Sequence, residues 1–311
     1  RQLLLAEQLL EKSLEQDPQY APAWELRAAL QPLLGEYTDT PLGVDELERR
    51  GIEFADRALS LAPDSALALA VKANIRSRQS QTARASHDLA KVIDDLERSL
   101  AIDPSSTDAM NWLGMTWSHV GRLDKALEIF QRCVRTDPLA SACSENEYDV
   151  LYGLGRRDEA WQRYQDALDR GAVTDQWTNF AMLAHFEQKA AFLYAANQSR
   201  YLPRWHRHEA IYEAFRDRDA DHGPLLAEIR AYAEREGIAL DNGYASQLLT
   251  PLGLHELKPF LALEQSGEYR RYRQSPEFKK VIRDSGVYDY WLDQGFPDTC
   301  QPVEPDDFRC D

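Results

Sequence analysis

The sequence predicts an all-α solenoid of antiparallel helix pairs, and three observations carry that prediction. Apolar residues recur with helical period through most of the 311-residue chain, and no alternating run of strand character interrupts them. A turn signature closes successive runs: Gln16-Asp17-Pro18, Leu61-Ala62-Pro63, Ile102-Asp103-Pro104 and Thr136-Asp137-Pro138, spaced by 45, 41 and 34 residues. The 43% hydrophobic content is that of a folded chain, yet the longest apolar run, residues 190–196, is far short of the roughly 18–20 residues of a membrane helix. Thirty-six Lys and Arg against 52 Asp and Glu leave a net charge of −16, which disfavours nucleic acid and anionic lipid as partners.

In chain order, residues 1–18 fit only the second helix of a pair, with Ala6, Leu10 and Ser13 in frame. Together with the start at Arg1, this sets the expectation of a segment excised from a longer chain. Trp24, Ala28, Ala55, Leu59 and Pro63 mark the next pair, its helices separated by an insertion at residues 32–44 rich in Pro, Gly and Thr. Ala66, Ala73, Val92, Leu96 and Pro104 mark another, with a polar insertion at residues 77–86. Residues 107–138 form an uninterrupted pair: Leu113, Gly114 and Trp117 on the first helix, Gly121 at the turn, then Ala126, Phe130 and Cys133 before Pro138. Gly114 and Ala126 lack bulk where two helix axes approach, Trp117 and Phe130 fill the flanking space, and Pro138 ends the second helix. Gly155, Ala160, Tyr164, Ala167 and Gly171 continue the frame.

On these residues the chain resembles the tetratricopeptide repeat (TPR) family over residues 1–171. The resemblance implies a right-handed superhelical solenoid whose inner groove, lined by the first helix of each pair, takes protein or peptide. Beyond it, residues 172–264 read as degenerate helical pairs continuing the solenoid, with helices expected at 177–196, 207–216, 225–236, 244–252 and 255–264. Residues 265–311 read as an irregular cap and tail, Pro-rich and free of strand signal at the end. Its Tyr272-Arg273-Gln274-Ser275-Pro276, Tyr288-Asp289-Tyr290-Trp291 and Gly295-Phe296-Pro297-Asp298-Thr299-Cys300 segments resemble tails of bacterial signalling proteins in which TPRs follow a winged-helix or nucleotide cyclase domain.

Several residue clusters invite a site. Cys300 and Cys310, ten residues apart, are a disulfide candidate that would staple the tail by about 2–3 kcal/mol in an oxidising compartment; free thiols are the alternative, and a metal site lacks nearby histidine. Cys133 and Cys143 read as small core residues. Asp217, Asp219, Asp221 and Glu228 match the carboxylate spacing of a calcium loop, but His222 replaces its turn glycine, so an acidic inter-helix loop is the simpler reading. His206 and His208, two apart, cannot chelate from one helix face and read as a surface helix start. Arg270, Arg271, Arg273, Lys279, Lys280 and Arg283 form a basic run that reads as a solvated helix face or a dock for an anion. No phosphate loop, nucleophile elbow or zinc-protease motif occurs, so neither an enzyme nor a cofactor is expected.

The resemblance places the groove on Glu25, Ala29, Asn74, Asp108, Asn111, Met115, His119, Glu145, Asp149 and Tyr152. The Lys and Arg clamp with which chaperone-tail readers of the family hold a carboxylate is replaced here by acids and apolar groups, which favours a basic or amphipathic partner. The expected function is a non-enzymatic protein- or peptide-binding module, the sensory or interaction part of a larger bacterial signalling or transcription-regulatory protein, in the periplasm. A freestanding scaffold, a cytoplasmic location and a calcium- or ligand-responsive sensor are the alternatives.

Overall fold

The computed structural model describes residues 2–38, 40–173, 179–198, 207–217, 220–238, 240, 245, 248–255, 269–304 and 306–311. Helix α1 (Gln2–Gln16) packs on α2 (Ala21–Tyr37). Four antiparallel pairs then stack: α2 with α3 (Val44–Leu61), α4 (Ala66–Gln81) with α5 (Leu89–Ile102), α6 (Thr107–His119) with α7 (Leu123–Thr136), and α8 (Ser141–Gly153) with α9 (Arg157–Arg170). The first helices of neighbouring pairs touch each other more closely than the second helices do, which makes the first-helix side the inner face of an all-α solenoid.

The turn signature has a chemical basis. Asp17, Asp103 and Asp137 each accept, through Oδ1, the backbone N–H two residues on, at 2.9, 3.0 and 2.9 Å, closing a short turn after the helix. The carbonyl of the following proline is then claimed by the next second helix: Arg98 donates to Pro63 O at 3.2 Å, Arg132 to Pro104 O at 2.8 Å and Arg170 to Pro138 O at 3.2 Å. Ser65, Asp88 and Ser106 cap α4, α5 and α6 by accepting a backbone N–H. Inside the third full pair, a Cβ on Gly114 would lie 2.4 Å from the Phe130 ring, so only glycine permits that helix approach.

The two insertions are more ordered than their composition predicts. Helix α2 runs through Pro32 to Tyr37, because Leu30 and Leu34 bury against Leu47, Leu3 and Leu10, offsetting the hydrogen bond that the proline removes. In the second insertion, residues 77–81 are the last turn of α4; Ser77 is buried there and bonds Thr116 at 2.8 Å, so a polar stretch is retained inside by pairing its hydroxyls.

After α9 come α10 (Phe180–His185) and α11 (Lys189–Gln198), then α12 (His208–Arg216) and α13 (Gly223–Glu236), as the sequence predicts; Trp177 lies outside the described residues. Of the pair expected at 244–264, Ala245, Leu248 and Leu249 are helical and residues 250–252 form a 3₁₀ turn, while Tyr244, residues 246–247 and residues 256–264 lie outside the described residues. The tail contains α14 (Arg270–Arg273), α15 (Pro276–Asp284), α16 (Val287–Gln294) and a hairpin of β1 (Cys300–Glu304) and β2 (Asp307–Cys310), with Cys300 opposite Cys310. The hairpin corrects the strand-free expectation: its strands are too short, and β1 too interrupted by Pro302, for a period of two to show in sequence.

Cysteine pairing needs a second correction. Cys300–Cys310 is bonded, but so is Cys133–Cys143, with Cα atoms 6.1 Å apart. Both latter residues are buried, as expected of core positions, yet the turn between α7 and α8 brings the end of one helix against the start of the other, and both sulfurs rest on Thr107 O.

The tail returns to the middle of the solenoid. Trp291 Nε1 donates to Val120 O at 2.9 Å, and Arg122 donates to the carbonyls of Gln294, Gly295 and Phe296 at 2.9, 2.6 and 3.0 Å. Ser80 Oγ donates to Ser285 O, and Gly286, at φ +80°, passes so close that a Cβ would lie 2.7 Å from His87 O. One apolar cluster runs unbroken from Ala70 through the later pairs to Phe308 and Cys310.

Candidate functional site

The groove positions divide into those that face outward and those absorbed between helices. Asp108 is exposed on the first turn of α6, and Glu25, Ala29, Asn111, Met115 and Asp149 are half-buried. Asn111 Oδ1 accepts from Asn146 Nδ2 at 2.8 Å, while Asn111 Nδ2 points at the Met115 sulfur, 3.6 Å away. Asp108, Asn111, Met115 and Asn146 therefore form one patch across α6 and α8, with an acid, two amides and a thioether. Asn146 escapes the sequence frame because it stands 35 residues after Asn111 rather than 34.

Asn74, His119, Glu145 and Tyr152 are buried, so in this fold they are seam residues between helices instead of open groove. His119 Nε2 lies 3.3 Å from Ser80 Oγ on the preceding first helix, and burial holds its imidazole down to about 3. Tyr152 donates to Ala181 O at 3.3 Å on α10. Glu25 accepts from Ser65 Oγ, the cap of α4, so that carboxylate also serves the stack.

Asp149 is the most perturbed acid of the face. Burial pushes its carboxyl up to about 7, while the Asn179 hydrogen bond at 2.9 Å works in the opposite direction. Asn179 also caps α10 through Met182 N, so Asp149 anchors the junction between the solenoid and the helices that follow.

The other sequence candidates resolve into structural roles. Asp221 accepts Gly223 N–H at 2.9 Å, and Glu228 is ion-paired with Arg207; Asp219 lies outside the described residues. No group of three or more His, Cys, Asp or Glu is placed to hold a metal among the described residues. His206 lies outside the described residues, and His208 is buried, not on the surface, with Nδ1 3.3 Å from Asn197 Oδ1. Of the basic run, Arg270, Arg271, Lys280 and Arg283 are exposed, as a solvated helix face predicts, while Arg273 is buried and donates to Asp311 O, and Lys279 and Arg283 hold Asp307 at 2.7 and 3.0 Å. On the opposite side of the solenoid, a cleft of about 570 Å³ separates α5 from α7 over Leu113 and Trp117, with Lys125 Nζ 4.1 Å from the indole centroid.

Stacked antiparallel helix pairs with a continuous inner first-helix face define an all-α helical-repeat solenoid. Among solved structures the chain is similar to MamA, at 21% identity and a TM-score of 0.40 over 53% of this chain and 86% of that one. It is also similar to TTC0263, a thermophilic TPR protein of Thermus thermophilus, at 17% identity and a TM-score of 0.45 over 60% and 89% of the two chains. YrrB, described as a TPR protein with an unusual peptide-binding site, gives 18% identity and a TM-score of 0.40 over 65% and 95%. No protein-family model and no curated protein matches the chain.

Proposed function

We propose that this chain is a protein-interaction module that takes a basic or amphipathic peptide along the inner face of its first helices. The observation that carries the reading is the patch on α6 and α8, where exposed Asp108 stands beside the Asn111–Asn146 amide pair and Met115. Amides suit a peptide backbone, a thioether adapts to apolar side chains, and the acid favours Lys or Arg. The net charge of −16 acts in the same direction by steering cationic segments toward the molecule. Fluorescence anisotropy with labelled Lys/Leu and Glu/Leu amphipathic peptides tests it. The basic peptide is expected to bind at least about tenfold more tightly, weakening as salt is raised; equal binding, or preference for the acidic peptide, overturns the reading.

We further place the module in the periplasm, as the sensory part of a larger bacterial signalling protein. Pairing of all four cysteines supports an oxidising compartment, and the tail resemblance supports the signalling context. Thiol counting on denatured, unreduced protein from its native host is expected to find no free thiol, and four free thiols would refute the location.

A further inference from the structure

The tail is built as a chain of dependencies that ends at one covalent bond. Helices α14, α15 and α16 have four, nine and eight residues, below the roughly 12–15 at which an isolated helix becomes even marginal in water. Their packing depends on the hairpin. Its Phe308 is fully buried, with ring centroids 5.5 Å from Tyr288, 5.4 Å from Trp291 and 6.3 Å from Phe278. Asp307, next to it, ties Lys279 and Arg283 and has its carboxyl held far below the usual range by those two cations and the Phe308 N–H. A two-stranded hairpin of five and four residues is itself marginal, and Cys300–Cys310 is what closes it.

The attachment of this unit to the solenoid combines the shared apolar cluster with hydrogen bonds to main-chain carbonyls: Val120 O accepts from Trp291, Arg122 grips three tail carbonyls, and Ser80 reaches a fourth. Cys133–Cys143, by contrast, joins two helices that the repeat packing already holds together.

We propose that residues 269–311 are a redox-gated latch on the turns of the second and third full helix pairs, held shut by Cys300–Cys310 and opened by a dithiol reductant. In the opening step the reductant supplies two electrons and two protons; the Cys300–Cys310 bond breaks to two thiols, and the reductant's own thiols join as a disulfide. Loss of the staple frees the hairpin, withdraws Phe308 and Asp307, releases Lys279 and Arg283 from their ion pairs, and uncovers Trp291 together with the Arg122 edge of the solenoid. The device does not depend on what the groove binds.

Graded reduction of the full chain, followed by differential alkylation and hydrogen-exchange mass spectrometry, tests it. Cys300 and Cys310 are expected to label before Cys133 and Cys143, with amides 287–296 exchanging at least about tenfold faster and amides 123–136 unchanged. The double variant Cys300→Ser, Cys310→Ser should show the same pattern without reductant. Arg122→Gln, with both disulfides intact, should accelerate the same tail amides by a smaller factor, about threefold. Earlier reduction of Cys133–Cys143, unchanged exchange at 287–296, or equal acceleration at 123–136 would each overturn the latch.

Discussion

Cys133–Cys143 and Cys300–Cys310 close loops of the same sequence separation, ten residues, in opposite surroundings. By loop entropy alone each contributes about 2–3 kcal/mol by constraining the unfolded chain. The first sits between α7 and α8, where Phe130, Ala126 and Leu151 are already buried and the bond adds to packing that exists without it. The second sits in the tail, where no helix reaches ten residues and the bond holds the strand that carries the central aromatic ring. Equal cross-links therefore do unequal structural work, because what a disulfide does to the native state depends on how much local structure survives its loss.

The sharpest way to break the comparison is to attack the repeat core and leave both disulfides alone. Phe130→Ala should lose about 3–5 kcal/mol in urea unfolding, since it empties the site against Gly114. A loss below about 1 kcal/mol would mean that packing does not dominate this region. Next in size, Cys133→Ala with Cys143→Ala should cost about 2–3 kcal/mol globally yet leave amide protection across α7 and α8 native-like. Melting of those helices alone would erase the contrast with the tail.

A smaller effect separates two seams, one between repeats at His119 and one at Asp149, where the repeats meet the helices that follow. Asp149 is half-buried with its carboxyl raised to about 7, so its ionised form disfavours the fold above that pH, and the penalty fades as pH falls from 7 toward its ordinary value near 4. His119 has the opposite sign: held neutral down to about 3, it supports the fold fully above its ordinary 6.5 and loses that support as pH falls from 6.5 to 3. Asp149→Asn should accordingly raise stability at pH 8 by about 2 kcal/mol and remove the gain in stability that Asp149 supplies as pH falls from 7 toward 4. A wild-type-like pH profile in thermal unfolding would contradict this. Smallest of all, Arg132→Met should cost about 0.5–1 kcal/mol through loss of its bond to Pro104 O, measured by the same denaturation.

Legibility in the sequence followed the range of the forces involved. The helix pairs, their boundaries near Pro63, Pro104 and Pro138, and the roles of Gly114 and Phe130 were readable because they are local and periodic. The hairpin, the Cys133–Cys143 bond and the return of Trp291 to Val120 were not, because each is decided by contacts between segments whose sequences carry no mark of one another. The groove was half legible. The family resemblance implies Asn111 and Met115, but whether Asn74, His119, Glu145 and Tyr152 stay open depends on the neighbouring helices, and these bury them. Asn146 needed a one-residue slip of the frame.

Charge reversal on the inner face tests the central claim most directly. Asp108→Lys should reverse peptide preference in anisotropy titrations, weakening the Lys/Leu peptide at least about tenfold and strengthening the Glu/Leu peptide, while thermal stability stays within about 0.5 kcal/mol because Asp108 is exposed. Unchanged preference in a folded Asp108→Lys variant would contradict recognition of a basic partner on this face.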